Sequence, residues 1–500
     1  MILDYLWHSE FIAILKNSQW QDVTIISDTW LSDYIVGDLM WRNPTFDINY
    51  DVLTQIDAIF ISHWHTDHLD PYTLVDLYKN LKNIPILLIP ETLQFLKEVF
   101  ETSLPLSKII VMKNKEKYDI NWVGIRWYIF ENQSITNEDD VMSLFISNEK
   151  EIVYTEVDTI PPSNEETQNY LYKIFTEKNY ESVVYLATRN ELEGNLRLLD
   201  IVDISERKKF EKKYIESRRE DIEYEYSKFE YGADFRDIYK IKNFMRIFIG
   251  QGIIYPKELN SEMTKLKLMT LEEEAKIERK ISKNYHYHFP INYLKAGQRY
   301  EVIKGNLREF WTIPYIKDID YLNPKADLDM NLTRPYASWP LNNERRNTEK
   351  QKKLILKLLN ERFLPYQIGN IDDNFKHILL KSDAKKYVIA IKFGTKENFE
   401  TVYYISDYRQ VFFEEWITKN NYFDEDYWAN DIDDFYNGSQ ELYSNFLHTL
   451  STGKSYRFWT ALWANFLNND LIKNKFILHF ERANTWKTAR DFVLNYYNNL

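Results

Sequence analysis

The sequence predicts an α/β fold over its first half, with sheets covered by helices, followed by an α+β region towards the C-terminus. Three observations lead there. β-Branched and aromatic runs of strand length recur across the first 260 residues, with helical stretches between some of them. One such run, 58–62, passes directly into a His-rich turn and then a helix start. Beyond residue 345 a helix-forming stretch precedes two runs spaced as paired strands, and aromatic helical segments follow.

In chain order, strands are expected at 10–15, 22–27, 58–62, 85–89, 108–112, 123–130, 142–147, 151–157, 182–187 and 246–255. Helices are expected at 71–81 and 93–100. The stretch 205–228 is rich in Lys, Arg and Glu and reads as a solvated, salt-bridged helix. A polar helical stretch at 256–281 reads as the exit from the first domain, and 314–340 is loop-rich with four prolines. A helix at 350–362 and paired strands at 387–393 and 401–406 open the last part, which ends in helical segments carrying Trp459 and its neighbours. The expected division is a first domain at 1–260, a connecting region at 261–345 and an α+β domain at 346–500.

Composition narrows the function classes. Lys and Arg total 63 against 76 Asp and Glu, a net charge of -13, which repels phosphate backbones and disfavours general nucleic-acid binding. There is no Cys, so disulfides, thiolate zinc sites and Cys-ligated iron–sulfur clusters are excluded, and a reducing cytoplasm is the expected compartment. The opening MILDYLWHSE has an acid at Asp4 and no long apolar run, unlike a signal peptide, and no membrane partner is expected.

The chemistry-bearing segment is His63-Trp64-His65-Thr66-Asp67-His68, directly after the buried-strand pattern Ala58-Ile59-Phe60-Ile61-Ser62. Asp70-Pro71 then reads as a helix N-cap with proline at the first helical position, and Leu74, Leu77, Tyr78 and Leu81 give that helix one apolar face. A strand end and a tight turn aim His63 and His65 at one metal ion, while Asp67 and His68 reach a second ion close by. Neutral imidazoles suit borderline cations such as zinc and ferrous iron, and a hard carboxylate among them favours iron or manganese. Three of the nine His fall within six residues, which sets this turn apart from an ordinary polar loop. Trp30, Trp41 and Trp64 are candidates to wall a pocket, and His8 is read as ordering the metal loop from a neighbouring strand.

These residues closely resemble the His-x-His-x-Asp-His signature of the metallo-β-lactamase superfamily. Trp7-His8-Ser9-Glu10-Phe11-Ile12 resembles the first strand of the branch with lactonase-like members, and Asp28-Thr29-Trp30-Leu31 resembles that branch's Asp-Pro-Trp-Leu. Within the superfamily the chain is most similar to the CMP-N-acetylneuraminate hydroxylase type, through Ile61–Asp70, Thr73-Leu74 and Ser205-Glu206-Arg207-Lys208-Lys209. The resemblance spans about residues 1–260. It implies an αββα sandwich with two metal ions at one edge between the sheets. It also implies three further ligands downstream. Asp158, after the 151–157 run, is the expected bridging carboxylate. The ligand before it is usually a His, but none lies between His68 and His286, so Glu138 is expected in its place. The last His position is taken by Gln251, and His286 with His288, alternating on an expected strand at 285–289, could complete the site instead.

Two chemistries follow from the resemblance. The preferred one is a non-haem di-iron oxygenase oxidising a small substrate with O₂, its metals held by His63, His65, Asp67, His68, Glu138 and Asp158. Similar hydroxylases carry a Rieske domain, which a chain without Cys lacks, so electrons would come from a separate reductase. The alternative is a di-zinc or di-manganese hydrolase of an ester, lactone, amide or phosphoester, with Asp67 orienting the nucleophile or taking its proton. A binding protein with a decayed site is the third reading, which the intact four-residue turn opposes.

Overall fold

The structure, a computed structural model, describes residues 1–32, 41–42, 44–105, 108–129, 142–157, 165–188, 216, 219–220, 222–223, 238–250, 253–254, 270–320, 343–364, 386–407, 412–416, 423, 425–436 and 469–485. Two mixed sheets stack face to face. The first runs in the order Asn306–Thr312, Gln298–Ile303, Ile2–Trp7, Glu10–Lys16, Asp22–Ser27, Ala58–Phe60, Ile86–Pro90 and Ile109–Met112. Its early members pair antiparallel, and from Asp22–Ser27 onwards the neighbours are parallel. The second runs Ile291–Tyr293, Phe244–Ile249, Ser182–Thr188, Glu151–Thr155, Met142–Ser147, Val123–Ile129 and Lys117–Ile120, parallel at the start and antiparallel at the end.

Side-chain alternation builds the layers. In Glu10–Lys16, Phe11, Ala13 and Leu15 face the second sheet, where they meet residues such as Trp127, Leu144 and Val184, while Ile12 points the other way. Helices Pro71–Asn80 and Lys97–Ser103 cover the outer face of the first sheet, with Leu74, Leu77 and Phe100 in its cluster. Helices Glu165–Thr176 and Leu271–Asn284 cover the second through Leu171, Phe175, Ala275 and Ile281. The central strands of both sheets are thus buried on both faces, which explains why they read as continuous apolar runs. The result is the four-layered αββα sandwich expected from the sequence.

Several elements differ from expectation. The run 58–62 leaves the sheet after Phe60, and 246–255 is a strand only over Phe244–Ile249, with a short Ile253–Ile254 pair after it. Ile2–Trp7 is a central strand, although its Asp4 breaks the apolar pattern. Asp4 is buried, but Arg299 grips both its oxygens at 2.6 and 2.7 Å, and the Tyr315 hydroxyl donates to it at 2.7 Å. Residues 285–289 form no strand: Tyr285 caps the preceding helix, and His286 has a positive φ of 62°. The charged stretch 205–228 and the Trp459 segment lie almost wholly outside the described residues.

Helix Asn469–Thr485 joins the first helix layer, far along the chain from its neighbours there. Ile472, Phe476 and Phe480 enter the cluster over the first sheet, and the Phe480 ring meets Phe100 edge-on at 5.8 Å. A further four-stranded sheet, Phe413–Trp416, Asn398–Asp407, Lys386–Thr395 and Glu425–Trp428, packs against helices Thr348–Leu358 and Ala429–Tyr436 around its own cluster. No helix among the described residues is long and apolar enough to cross a membrane. Replacing the fully buried Phe480 with Ala is expected to destabilise the fold by about 3–5 kcal/mol in denaturant unfolding. A loss below about 1 kcal/mol would show that this helix is not part of the sandwich.

Candidate metal centre

Three chain segments meet where the first sheet gives way to loops. The first is the 63–68 turn. Its closure comes from His68 and Leu69 amides donating to the His65 carbonyl at 3.0 and 2.7 Å. Helix Pro71–Asn80 follows, started by Asp70, whose carboxylate accepts from the amides of Tyr72 and Thr73. Thr73 Oγ1 donates to Asp70 at 2.5 Å and accepts from the Leu31 and Ser32 amides, tying a second segment to the helix.

That second segment begins at Asp28, directly after strand Asp22–Ser27, with a φ of 57°. Its Oδ1 accepts from the Ser62 amide at 2.8 Å, and its Oδ2 lies 3.0 Å from His68 Nδ1. The Thr29 amide donates to the His68 carbonyl at 2.9 Å. A carboxylate accepts only, so Nδ1 of His68 donates to Asp28 and Nε2 is the nitrogen on the side of Asp67. Ser62 Oγ sits 2.9 Å from His63 Nδ1, a contact that orients that ring in the same manner. Rings of His63 and His65 are 4.3 Å apart, and those of His63 and His68 4.1 Å.

The third segment is the hairpin turn between Ile2–Trp7 and Glu10–Lys16, where Trp7 pairs with Glu10 across His8 and Ser9. His8 has a φ of 46°, and its carbonyl accepts from the Tyr5 hydroxyl at 2.8 Å. That hydroxyl accepts from the Gly250 amide at 3.0 Å, linking the hairpin to the second sheet. Ser9 Oγ lies 3.2 Å from His68 Nδ1. His8 Nε2 is 3.5 Å from Asp67 Oδ2, and His68 Nε2 is 3.7 Å from the same oxygen. His8, Asp67 and His68 therefore present donor atoms all within 4.8 Å of one another.

The walls are aromatic. Trp7 and Trp30 meet edge-on at 3.8 Å, and the Trp7 indole donates to the Trp30 carbonyl at 2.5 Å. Trp64 stands edge-on to His65 at 4.7 Å, and Lys475 of helix Asn469–Thr485 places its ammonium 5.5 Å over the Trp64 ring.

Burial sets the charge states. Burial, reinforced by the imidazoles of His68, His65 and His8, holds His63 well below the usual histidine range, so it stays neutral. Burial opposes ionisation of Asp67, but His68 and then His8 and His65 outweigh it and hold that carboxyl below the usual carboxylate range. Glu10 is fully buried, and burial pushes its carboxyl well up, with His68 opposing. Asp67 Oδ1 and His8 Nδ1 are buried without a hydrogen-bond partner. Each such group costs about 1–3 kcal/mol. A cation among these atoms would offset that penalty, so the donor set fits a metal.

The structure thus brings His63, His65, Asp67 and His68 together. Glu138 and Asp158 lie outside the described residues, as does Gln251. His286 and His288 are exposed in the turn after helix Leu271–Asn284 and are not in the buried cluster, because the strand expected to aim them does not form. Sequence reasoning missed Glu10. Its signal was an acid at the head of an apolar strand, next to a hairpin His. Trp30 and Trp64 are buried beside the turn; the Trp41 side chain is outside the described residues.

No family model matches the chain, and no curated protein matches it. Among solved structures it is similar to CmlA, a diiron β-hydroxylase from Streptomyces venezuelae, at 12% identity and a TM-score of 0.35, over 62% of this chain and 54% of that one. It is also similar to the metallo-β-lactamase fold protein YhfI from Bacillus subtilis, at 9% identity and a TM-score of 0.33, over 60% of this chain and 99% of that one. Zn²⁺-bound PqqB from Methylobacterium extorquens matches at 10% identity and a TM-score of 0.25, over 38% of this chain and 64% of that one. The chain spans about half the length of the hydroxylase.

Asp28→Asn keeps one acceptor but loses the anionic partner of His68. It is expected to weaken metal binding by about 10–100-fold in competition with a chromophoric chelator; unchanged affinity would contradict the role given to Asp28. In metal-free protein, His63 has a folded pKa below its unfolded value near 6.5. Below that pH the unfolded state binds more protons, so stability falls as pH drops through this window. Thermal melts of chelated protein at about pH 7 and about pH 5 should show a lower midpoint at the acid end, with a smaller drop in His63→Gln. Equal drops in the two proteins would contradict a buried neutral His63.

Proposed function

We propose that this chain is a dinuclear metal enzyme, an iron-dependent oxygenase that oxidises a small substrate with O₂. The observation that carries the reading is the composition of the buried cluster. Imidazoles from His63, His65 and His68 sit with the ionised carboxylate of Asp67, and two more buried carboxyls, Glu10 and Asp28, stand behind them. Hard oxygen donors beside imidazoles suit iron that changes oxidation state. In this reading Glu138 and Asp158 complete the ligand set, and zinc or manganese are the alternative occupants. The resemblance of the 61–70 segment to CMP-N-acetylneuraminate hydroxylases supports oxygen chemistry; no substrate-contacting motif carries their substrate over.

When bound, iron supplies the redox chemistry, with O₂ as oxidant and a separate reductase providing two electrons per turnover. The chain's own residues do the rest. Asp28 and Ser9 hold the Nδ1 edge of His68, keeping its Nε2 turned to Asp67. Ser62 orients His63. The indoles of Trp7, Trp30 and Trp64 exclude water from the cluster, which protects oxidising chemistry from side reactions. Asp67, held ionised, is available as a metal ligand beside His68.

One observation favours hydrolysis as a second reading. Asp67 Oδ1 is buried without a hydrogen-bond partner, placed as an acceptor that could orient a water nucleophile. Elemental analysis of protein purified from iron-replete cells, paired with O₂ uptake under reductant, separates the two. The oxygenase reading expects two irons per chain and reductant-dependent O₂ consumption. Tightly held zinc with turnover of a generic phosphodiester or lactone would replace it with the hydrolase, and absence of any stoichiometric metal would overturn both.

A further inference from the structure

We infer that His8 is itself a metal ligand, completing one of the two ion positions together with Asp67 and His68. The inference rests on the reading above that the turn binds two ions, and it extends the ligand set to a residue on the first hairpin.

Distances carry the argument for ligation. His8 Nε2 lies 3.5 Å from Asp67 Oδ2. A charge-assisted hydrogen bond between imidazole and carboxylate closes to about 2.7–2.9 Å. Donors bound to one tetrahedral ion at about 2.1 Å sit about 3.4 Å from each other. The His8–Asp67 spacing of 3.5 Å and the His68–Asp67 spacing of 3.7 Å match the edges of such a polyhedron, and both are longer than a tight charge-assisted hydrogen bond. His8 is wholly buried, its Nε2 faces Asp67 alone, and its Nδ1 has no hydrogen-bond partner.

The backbone argues the same way. His8 adopts a left-handed φ of 46°, an uncommon region for a residue with a side chain. The Tyr5 hydroxyl pins its carbonyl there, and Gly250 of the second sheet pins that hydroxyl in turn. Both sheets therefore hold the hairpin tip against the metal turn. The resulting set is two imidazoles and one carboxylate, the ligand composition of mononuclear ferrous oxygenase sites, which leave coordination positions open. His63 and His65, with rings 4.3 Å apart, belong to the other position.

The chain's lack of Cys provides a direct test. Chelated protein, His8→Gln and His8→Cys are titrated with cobalt(II) alone, followed by visible and near-ultraviolet absorption, with circular dichroism confirming that each variant is folded. Wild type should bind two cobalt ions per chain. His8→Gln should hold one ion as before and lose more than about 100-fold affinity for the other, beyond the roughly 10–100-fold typical of an orienting partner. His8→Cys should gain a thiolate-to-cobalt charge-transfer band, which in a chain without other thiols can come only from position 8. Two ions bound by His8→Gln with wild-type affinity, or a loss within the orienting range and no thiolate band in His8→Cys, would overturn His8 ligation while leaving the dinuclear reading intact. Wild type binding no cobalt would overturn both.

Discussion

The buried carboxylate of Asp28 is the constraint on which the site depends. It sits in a left-handed conformation where strand Asp22–Ser27 ends, and its two oxygens serve two other segments: the Ser62 amide as the chain leaves Ala58–Phe60, and the Nδ1 edge of His68 at the end of the turn. Charge-assisted hydrogen bonds of this kind contribute about 1.5–3 kcal/mol each. Their larger consequence is geometric. With Nδ1 of His68 occupied, its other nitrogen is directed towards Asp67, and the turn cannot rotate without breaking a contact to each neighbouring segment. Thr73 adds a second clamp by accepting from Leu31 and Ser32 while donating to the helix-capping Asp70.

The layered architecture makes that clamp rigid. Parallel neighbours on either side of Ala58–Phe60 fix the exit point of the turn, and the helix after it is nailed to the outer face by Leu74 and Leu77. The site therefore sits at a sheet edge with covalently close supports on both sides, the arrangement that holds ligands to within a fraction of an ångström. Helix Asn469–Thr485 closes the same layer and brings Lys475 over Trp64, so residues from the far end of the chain stand beside the metal turn.

Much of this could be read locally and some of it could not. The strands from Asp22–Ser27 to Ile109–Met112 announce themselves as apolar runs because both their faces are covered. Ile2–Trp7 was hidden by Asp4, whose ion pair with Arg299 lies 295 positions away along the chain. The hairpin Gln298–Ile303 and Asn306–Thr312 was hidden because its outer strand is mostly exposed, Trp311 above all, and lacks the alternation of a half-buried strand. Its turn, Lys304 and Gly305, both with positive φ, was the available clue. At the site, His63, His65, Asp67 and His68 are neighbours in sequence, so their convergence needed only a strand, a turn and a helix. His8 was read from the sequence as a neighbour of the turn, whereas Glu10 arrives through strand pairing, and its place beside Asp67 and His68 depends on a register that no local pattern reveals.

The central requirement is that this turn gathers bound cations. Anomalous-scattering crystallography on protein loaded with iron or zinc tests it most directly. Strong peaks are expected within about 2.0–2.3 Å of side-chain donors from His63, His65, Asp67 and His68. A well-ordered crystal of fully loaded protein with no peak among those four residues would contradict it.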